Sequence, residues 1–522
     1  MAKRAQRLLE VISRADVTVY EVLTPTNLEE AKAAFLANRE LQAPTFRYEK
    51  LDSGLVDENL EALLNVQAEI FPTREDLTDR MFNSEAVNFS EAERQLLQMC
   101  WWDVYHKNSL LRAVLDYHEA RKRERKNLQN SQFSMRYRLR QEECIRRVAK
   151  RFYRLNEDAY SKPDEVTYRG ILSRQLDKID SVVRKAMDET ADITPETFYE
   201  LFSDVQKVKG GEVANYERTV KALSMLKVAC ELDYRLKDIK LPHVYAEANY
   251  HEVSLKVVQK FTDLVNDKMQ RFWQYVPSDH DEFTAQEMCE VLQQILAREL
   301  AGKTAFRVEL VSNRSALSVD QLARVIQVPK NRAKGNYTPT QMRAMLGHEL
   351  GTHVMRGVPF ENSPVRMLST GLPHYEEFEE GLAKCVEQVI KGEIGPTGED
   401  HYRNIGLAYF DEKDFREVFE IGWRILYLKD WKLEHDAKKC AERWGKCRDL
   451  AFTQTMRCFR GTGELVNFKD LMYYNGTQRA WRYISEHIDD EPDELWQNLF
   501  GMGKTDQMRE DHMRLVREVM MV

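Results

Sequence analysis

In the stretch MLGHELGTHVMRG, residues 345–357, two histidines bracket a glutamate: His348, Glu349 and His353. Imidazole nitrogens bind zinc, and a carboxylate next to a bound zinc is a suitable proton acceptor for hydrolysis at a carbonyl. The H-E-x-x-H pattern sets its histidines four residues apart, on one face of a helix. Here Leu350, Gly351 and Thr352 stand between Glu349 and His353, one residue too many for that pattern. On a regular helix, residues five apart point about 140° away from each other. A single π-bulge widens one turn and absorbs the extra residue, and Gly351 stands where backbone freedom helps it do so. The spacing predicts either a metal pair on a distorted turn or two ordinary helix histidines.

A catalytic zinc takes three protein ligands and keeps one position open. The next helical stretch, GLPHYEEFEEGLAKCVEQVIKG (371–392), is rich in carboxylates. In thermolysin-like sites the third ligand is a glutamate on a following helix, and Glu380 has a reasonable separation from His353. Glu376, Glu377, Glu379, Glu387 and His374 are the alternatives in the same stretch. Four residues past Glu380, where such enzymes often carry an acidic partner for a histidine ligand, stands Lys384, so that partner stays unassigned.

The elements that must position these side chains read as α+β. TAQEMCEVLQQILAREL is a helix starting at Thr284, with Glu287 completing a capping box. FRVELV (306–311) alternates like a strand, and ARVIQVP (323–329) is a second strand ended by proline. TPTQMRAMLGHELGTHVMR then forms the metal-motif helix from Thr338 or Thr340, an order that argues against a βαβ sheet. In zinc peptidases an edge strand pairs with the extended substrate, and the strand at 323–328 reads as such an edge or as a core strand with Val and Ile on one face, two roles that one strand can combine. From 401 onward the chain is mainly helical, broken at RGTGELVNF and YYNGT. Upstream, residues 5–14 and 27–38 read as short amphipathic helices, and about 58–281 is almost wholly helical. The expected division is a mainly helical N-terminal region, 1–281, and a metallopeptidase region, 282–522.

Composition places the chain among soluble globular proteins: 43% hydrophobic and 31% charged residues over 522 positions. No apolar window approaches the length of a membrane-spanning helix. Eight scattered cysteines without a C-x-x-C pair read as reduced thiols, which argues for the cytosol and against a cysteine zinc site. A net charge of −8 gives no global pull toward nucleic acid. Residues 121–154 form a basic arm that reads either as a solvated helix face or as a patch for an acidic partner, nucleic acid or an acidic protein tail.

Taken in order, HELGTH, SPVRMLSTGL and YEEFEEGLA resemble the HExxxH metallo-carboxypeptidases, a family comprising the microtubule-associated tyrosine carboxypeptidases and bacterial QEGLA-motif proteins. The pattern HE[IVL]GTH is met in full, and Glu379 to Ala383 matches the EEGLA element. TMRCFRG (455–461) and FKDLMYYNG (468–476) are similar to the later T-x-R-x-x-R-G and KD-x-x-Y elements. The resemblance covers about 282–476, with a further patch at 23–48.

It implies a zincin-like core, zinc held by His348, His353 and Glu380, and Glu349 as general base. A carboxypeptidase also needs a cation for the substrate's terminal carboxylate. Arg457 and Arg460 are the first candidates and Lys469 the third, because guanidinium is planar, bidentate and always charged. Surface ion pairs are the plainer role for each. Tyr473 matches the family tyrosine and suits an oxyanion donor or, equally, a core aromatic. The expected function is a cytoplasmic zinc carboxypeptidase that removes a C-terminal aromatic residue, tyrosine first, from a protein or peptide tail, acidic like that of tubulin. The alternatives are a non-catalytic helical protein binding an acidic partner through the arm, and a zinc hydrolase of another substrate class.

Overall fold

The computed structural model describes residues 28–44 apart from 39, single positions between 135 and 157, residues 160–188, and residues 253–520 apart from short stretches at 278, 313–315, 322, 332–334, 364–366, 430–436 and 461–464. The helix expected at 5–14 and most of the basic arm at 121–154 lie outside the described residues.

Helix α1 (Leu28–Ala37) and helix α2 (Glu165–Asp188) come from the N-terminal region, followed by α3 (Leu255–Trp273). On α3, Val257, Phe261, Leu264, Val265, Met269 and Phe272 recur every three or four residues and are all buried, as an amphipathic helix requires. Helix α4 (Ala285–Glu299) begins at Thr284, whose side chain and that of Glu287 cap each other's backbone amides as expected.

Three short strands follow: β1 (Arg307–Val311), β2 (Ser318–Asp320) and β3 (Val325–Pro329). They form one mixed sheet in the order β1-β3-β2, with β1 parallel and β2 antiparallel to β3. The architecture is therefore α+β, mainly helical with a small sheet. Of the two roles expected for this strand the core one holds and the edge one is corrected: β3 is central, pairing on both sides, and Ile326 and Val328 are fully buried. The edges are β1 and β2; β2, the one beside the histidines, is a brief run, SVD, too short to stand out as alternation.

Helix α5 (Pro339–Met345) starts at Thr338, with Pro339 in its first turn and a capping box to Gln341, and runs directly into a π-helix over Leu346–Val354. Helix α6 (Glu376–Lys391) carries the carboxylates and ends at Gly392 in the left-handed conformation (φ 69°). Helices α7 (Glu399–Tyr409), α8 (Phe415–Lys429), α9 (Ala437–Phe459), α10 (Met472–His487), α11 (Pro492–Phe500) and α12 (Glu510–Met520) complete the described chain.

One core joins α3, the sheet, the π-helix, α6 and α10, through Phe261, Met269, Ile326, Leu350, Phe378 and Trp481 among others. Helix α3 thus packs with the elements beyond residue 282. In a second layer, Phe35 of α1 meets Phe415 and Phe419 of α8 edge-on, at centroid distances of 5.2 Å. Arg416 stacks on Phe35 and donates to the carbonyls of Phe35, Asn38 and Leu41, where the helix dipole favours a cation. Helix α2 docks on α7 by Arg174–Glu399, and its Arg169 pairs with Asp411 just past α7.

The stretch YYNGT, expected as a break, lies inside α10. Its glycine serves approach rather than turning. A Cβ on Gly476 would lie 2.0 Å from the carbonyl oxygen of Glu377, and one on Gly381 would lie 2.0 Å from the carbonyl carbon and oxygen of Gly476. Helices α6 and α10 therefore touch backbone to backbone. Gly381→Ala has no flexible side chain to displace, so we expect it to destabilise the fold by several kcal/mol, beyond the ~1–3 kcal/mol usual for overpacking. Chemical denaturation should show this as a lower midpoint with an unchanged slope.

Candidate metal centre

The widened turn expected near Gly351 extends over the whole segment Leu346–Val354. The Thr352 hydroxyl donates to the carbonyl of Gly347, five residues back, at 3.1 Å, and the Met355 amide donates to Leu350 O, also five back. The widened backbone turn lowers the rotation per residue, so five residues come closer to one full revolution, and the His348 and His353 rings come within 5.0 Å, centroid to centroid. The reason for Gly351 differs from the expected one: its backbone is not in the left-handed region. A Cβ there would lie 2.4 Å from Met269 Cε, so the glycine makes room for α3.

Nε2 of His348 lies 3.6 Å from one Glu380 oxygen and Nε2 of His353 lies 3.4 Å from the other. His348, Glu349 and His353 also form a group whose ligand atoms all lie within 4.8 Å of one another. Two carboxylates thus compete to complete a three-donor set. Glu380 is the better placed, because it reaches the inward nitrogen of both histidines.

The other nitrogens are braced. Nδ1 of His353 donates to Glu379 Oε1 at 2.9 Å, which leaves Nε2 directed at Glu380. Nδ1 of His348 stands 3.2 Å from Glu387 Oε2, within ion-pair reach although off line for a hydrogen bond. Glu379 and Glu387, weighed by sequence only as rival ligands, are these braces. The i+4 rule pointed to Lys384, which instead pairs with Glu387. A readable signal was present: Glu380 and Glu387 are seven apart, two turns on one helix face. Of the remaining rivals, Glu377 pairs with Arg479, Glu376 meets Lys469 and accepts from the Tyr160 hydroxyl, and His374 is not among the residues lining the cavity beside the histidines.

These carboxylates make the place favour positive charge. Burial opposes protonation of His353, but its bonds to Glu379 and Glu380 push its pKa up to about 10. Burial would raise Glu380, yet His353 and His348 hold it down at about 2. Glu349 goes the other way: burial pushes its carboxyl up, against the pull of both histidines.

A cavity of about 350 Å³ opens beside the histidines, lined by Glu349, Glu380, Tyr375, Lys469, Tyr473 and the β2 edge at Leu317–Val319, among others. Gln321, just past β2, donates to the carbonyl of His353 at 2.9 Å and ties the β2–β3 hairpin to the π-helix. Two expectations need correction. Arg457 and Arg460 both bind the buried carboxylate of Asp470, at 2.7 and 2.9 Å, and neither lines the cavity. The sequence does not mark Asp470 as their partner, because it lies at the end of a loop, on a short 3-10 turn that periodicity does not predict. Arg457 instead donates to the Tyr473 hydroxyl at 3.0 Å and orients it. Lys469 and Tyr473 do line the cavity. Tyr160, from the N-terminal helical block, reaches its rim by bonding to Glu376.

No protein family, curated protein or solved structure matches this chain. Among the described residues, no helix is long and apolar enough to cross a membrane.

Proposed function

We propose that the chain is a zinc-dependent carboxypeptidase that releases a C-terminal aromatic residue, tyrosine above all, from a protein or peptide tail. The observation that carries this reading is the convergence of Glu380 on the Nε2 atoms of both His348 and His353 at the wall of a cavity. Two imidazoles and one carboxylate are a catalytic zinc donor set, and the bracing carboxylates behind the histidines are what such ligands require. Glu380, held ionised, suits the ligand role, whereas Glu349, with its raised proton affinity, suits a proton acceptor. The small sheet followed by the histidine helix and the glutamate helix is read as a zincin-like core.

When bound, zinc supplies a Lewis acid that polarises a carbonyl and acidifies water. Glu349 takes up the proton released as the peptide bond is attacked and delivers it to the leaving amine. Tyr473, whose oxygen accepts from Arg457, keeps its own proton to donate to the oxyanion. The outer edge of β2, at Ser318 and Val319, lines the cavity and is assigned the antiparallel pairing with an extended tail. Because Arg457 and Arg460 are held on Asp470 outside the cavity lining, Lys469, which lines the cavity and stands 3.5 Å from Glu376, is assigned the terminal carboxylate, and Tyr375, Met472 and Val319 the ring. An acidic, tubulin-like tail as substrate is proposed from the basic count of 121–154, and a cytoplasmic setting from the scattered cysteines without a C-x-x-C pair.

Peptides with identical acidic bodies ending in Tyr, Phe, Ala or amidated Tyr test the reading. Free tyrosine and phenylalanine should be released, alanine more slowly, and the amide should be nearly uncut. Lys469→Met should lower kcat/KM on the free-acid peptides about 10- to 100-fold, the worth of a charged hydrogen bond. Internal fragments, or equal cutting of the amide, would show an endopeptidase instead.

A further inference from the structure

The loop after α11 returns beneath the metal centre. Lys504 is fully buried there, and its Nζ lies 2.5 Å from Glu379 Oε1, the same oxygen that accepts from Nδ1 of His353. The second oxygen, Oε2, accepts from Nη1 of Arg356 at 2.9 Å. Arg356 is buried too, and its Nη2 is spent on the same loop, donating to Thr505 O at 2.7 Å. The Lys504 backbone is pinned as well: its amide donates to Leu368 O at 2.8 Å and its carbonyl accepts from Leu372 at 3.1 Å.

Glu379 thus binds three donors, two of them on the basic side chains of Lys504 and Arg356, whose pKa values burial lowers while Glu379 raises them. A buried lysine is costly, and a chain that needed only to fill this space would do better with methionine. What Lys504 supplies, and Arg356 does not, is a charge on the very oxygen that orients His353. Without it that oxygen keeps one donor, and the carboxylate is free to rotate toward Arg356.

We propose that Lys504 is a positioning residue of the metal centre: by fixing Glu379 it holds the His353 ring with Nε2 toward Glu380, and so sets the zinc affinity. This rests on the zinc reading above. It also makes the loop at 501–507, more than a hundred residues beyond the metal helices, part of the site.

Zinc affinity of the full chain, measured by competition with a chromophoric chelator, tests this in the unaltered protein, Lys504→Met, Glu379→Gln and the double variant. Each single change should weaken zinc about 10- to 100-fold, as loss of a residue behind a ligand does. The double variant should be no weaker than Glu379→Gln alone, because Lys504 acts through Glu379. Thermal unfolding of the metal-free proteins reads fold stability separately. Unaltered affinity in Lys504→Met, or losses that multiply in the double variant, would overturn the proposal and leave the zinc reading standing. An unaltered chain that binds no zinc would instead remove the zinc reading itself. If Lys504→Met does not fold, Lys504→Gln keeps a donor of similar reach without the charge. It should still weaken zinc about tenfold, and unaltered affinity there would overturn the proposal equally.

Discussion

Glu349→Gln is expected to keep its zinc and lose turnover by roughly 10²- to 10⁴-fold, the usual worth of a positioned general base. The amide has the shape of the carboxylate and can fill the same space, but it cannot take a proton. Glu349 sits in the π-helix next to His348, nine-tenths buried, and burial makes its proton harder to lose. That shift brings the group toward the pH at which it must accept and return a proton within one cycle. Single-turnover rates with saturating tyrosine peptide, beside metal content of the same sample, separate base from ligand. If Glu349→Gln lost its zinc instead, the close group of His348, Glu349 and His353 would be the ligand set, and Glu380 would have another task.

The second large effect is on the metal. Glu380→Ala, His348→Ala and His353→Ala should each weaken zinc by more than about 100-fold, beyond the penalty for losing a residue behind a ligand. Each removes one of three donors and leaves a two-donor site among uncompensated carboxylates. Elemental analysis after dialysis should find about one zinc per chain in the unaltered protein and close to none in these variants. Glu376→Ala, by contrast, should retain its zinc, because that carboxylate is engaged by Tyr160 and Lys469. Zinc retained in Glu380→Ala and lost in Glu387→Ala would exchange ligand and brace.

Periodicity made much of this legible. The capped start at Thr284, the strands near 307 and 325, and the start of the metal helix at Thr338 all follow local rules and appear where those rules put them. The odd histidine spacing foretold a widened turn, because only one helix geometry brings both rings together. What stayed hidden depends on contacts remote in sequence. Nothing local marks Gly476 as a contact for Gly381, and the arginines of TMRCFRG look free until Asp470 is folded onto them. The edge role passed from β3 to β2 because strand order is a tertiary fact, and a strand of three residues leaves almost no pattern. Lys504 could not have been chosen among the chain's lysines, since only the return of the chain end beneath α6 gives it a partner.

The glycine contact between α6 and α10 has a bearing on redesign. Glu380 precedes Gly381 on one helix, and Tyr473 stands three residues before Gly476 on the other, so the two walls of the cavity are spaced by main chains in contact. Rotamer changes cannot alter that gauge, and neither helix can slide past the other without opening it. Attempts to fit a bulkier terminal residue would therefore gain nothing from loosening these helices. They would have to reshape Tyr375, Met472 or the short β2 edge, the parts of the lining that the glycine pair does not fix.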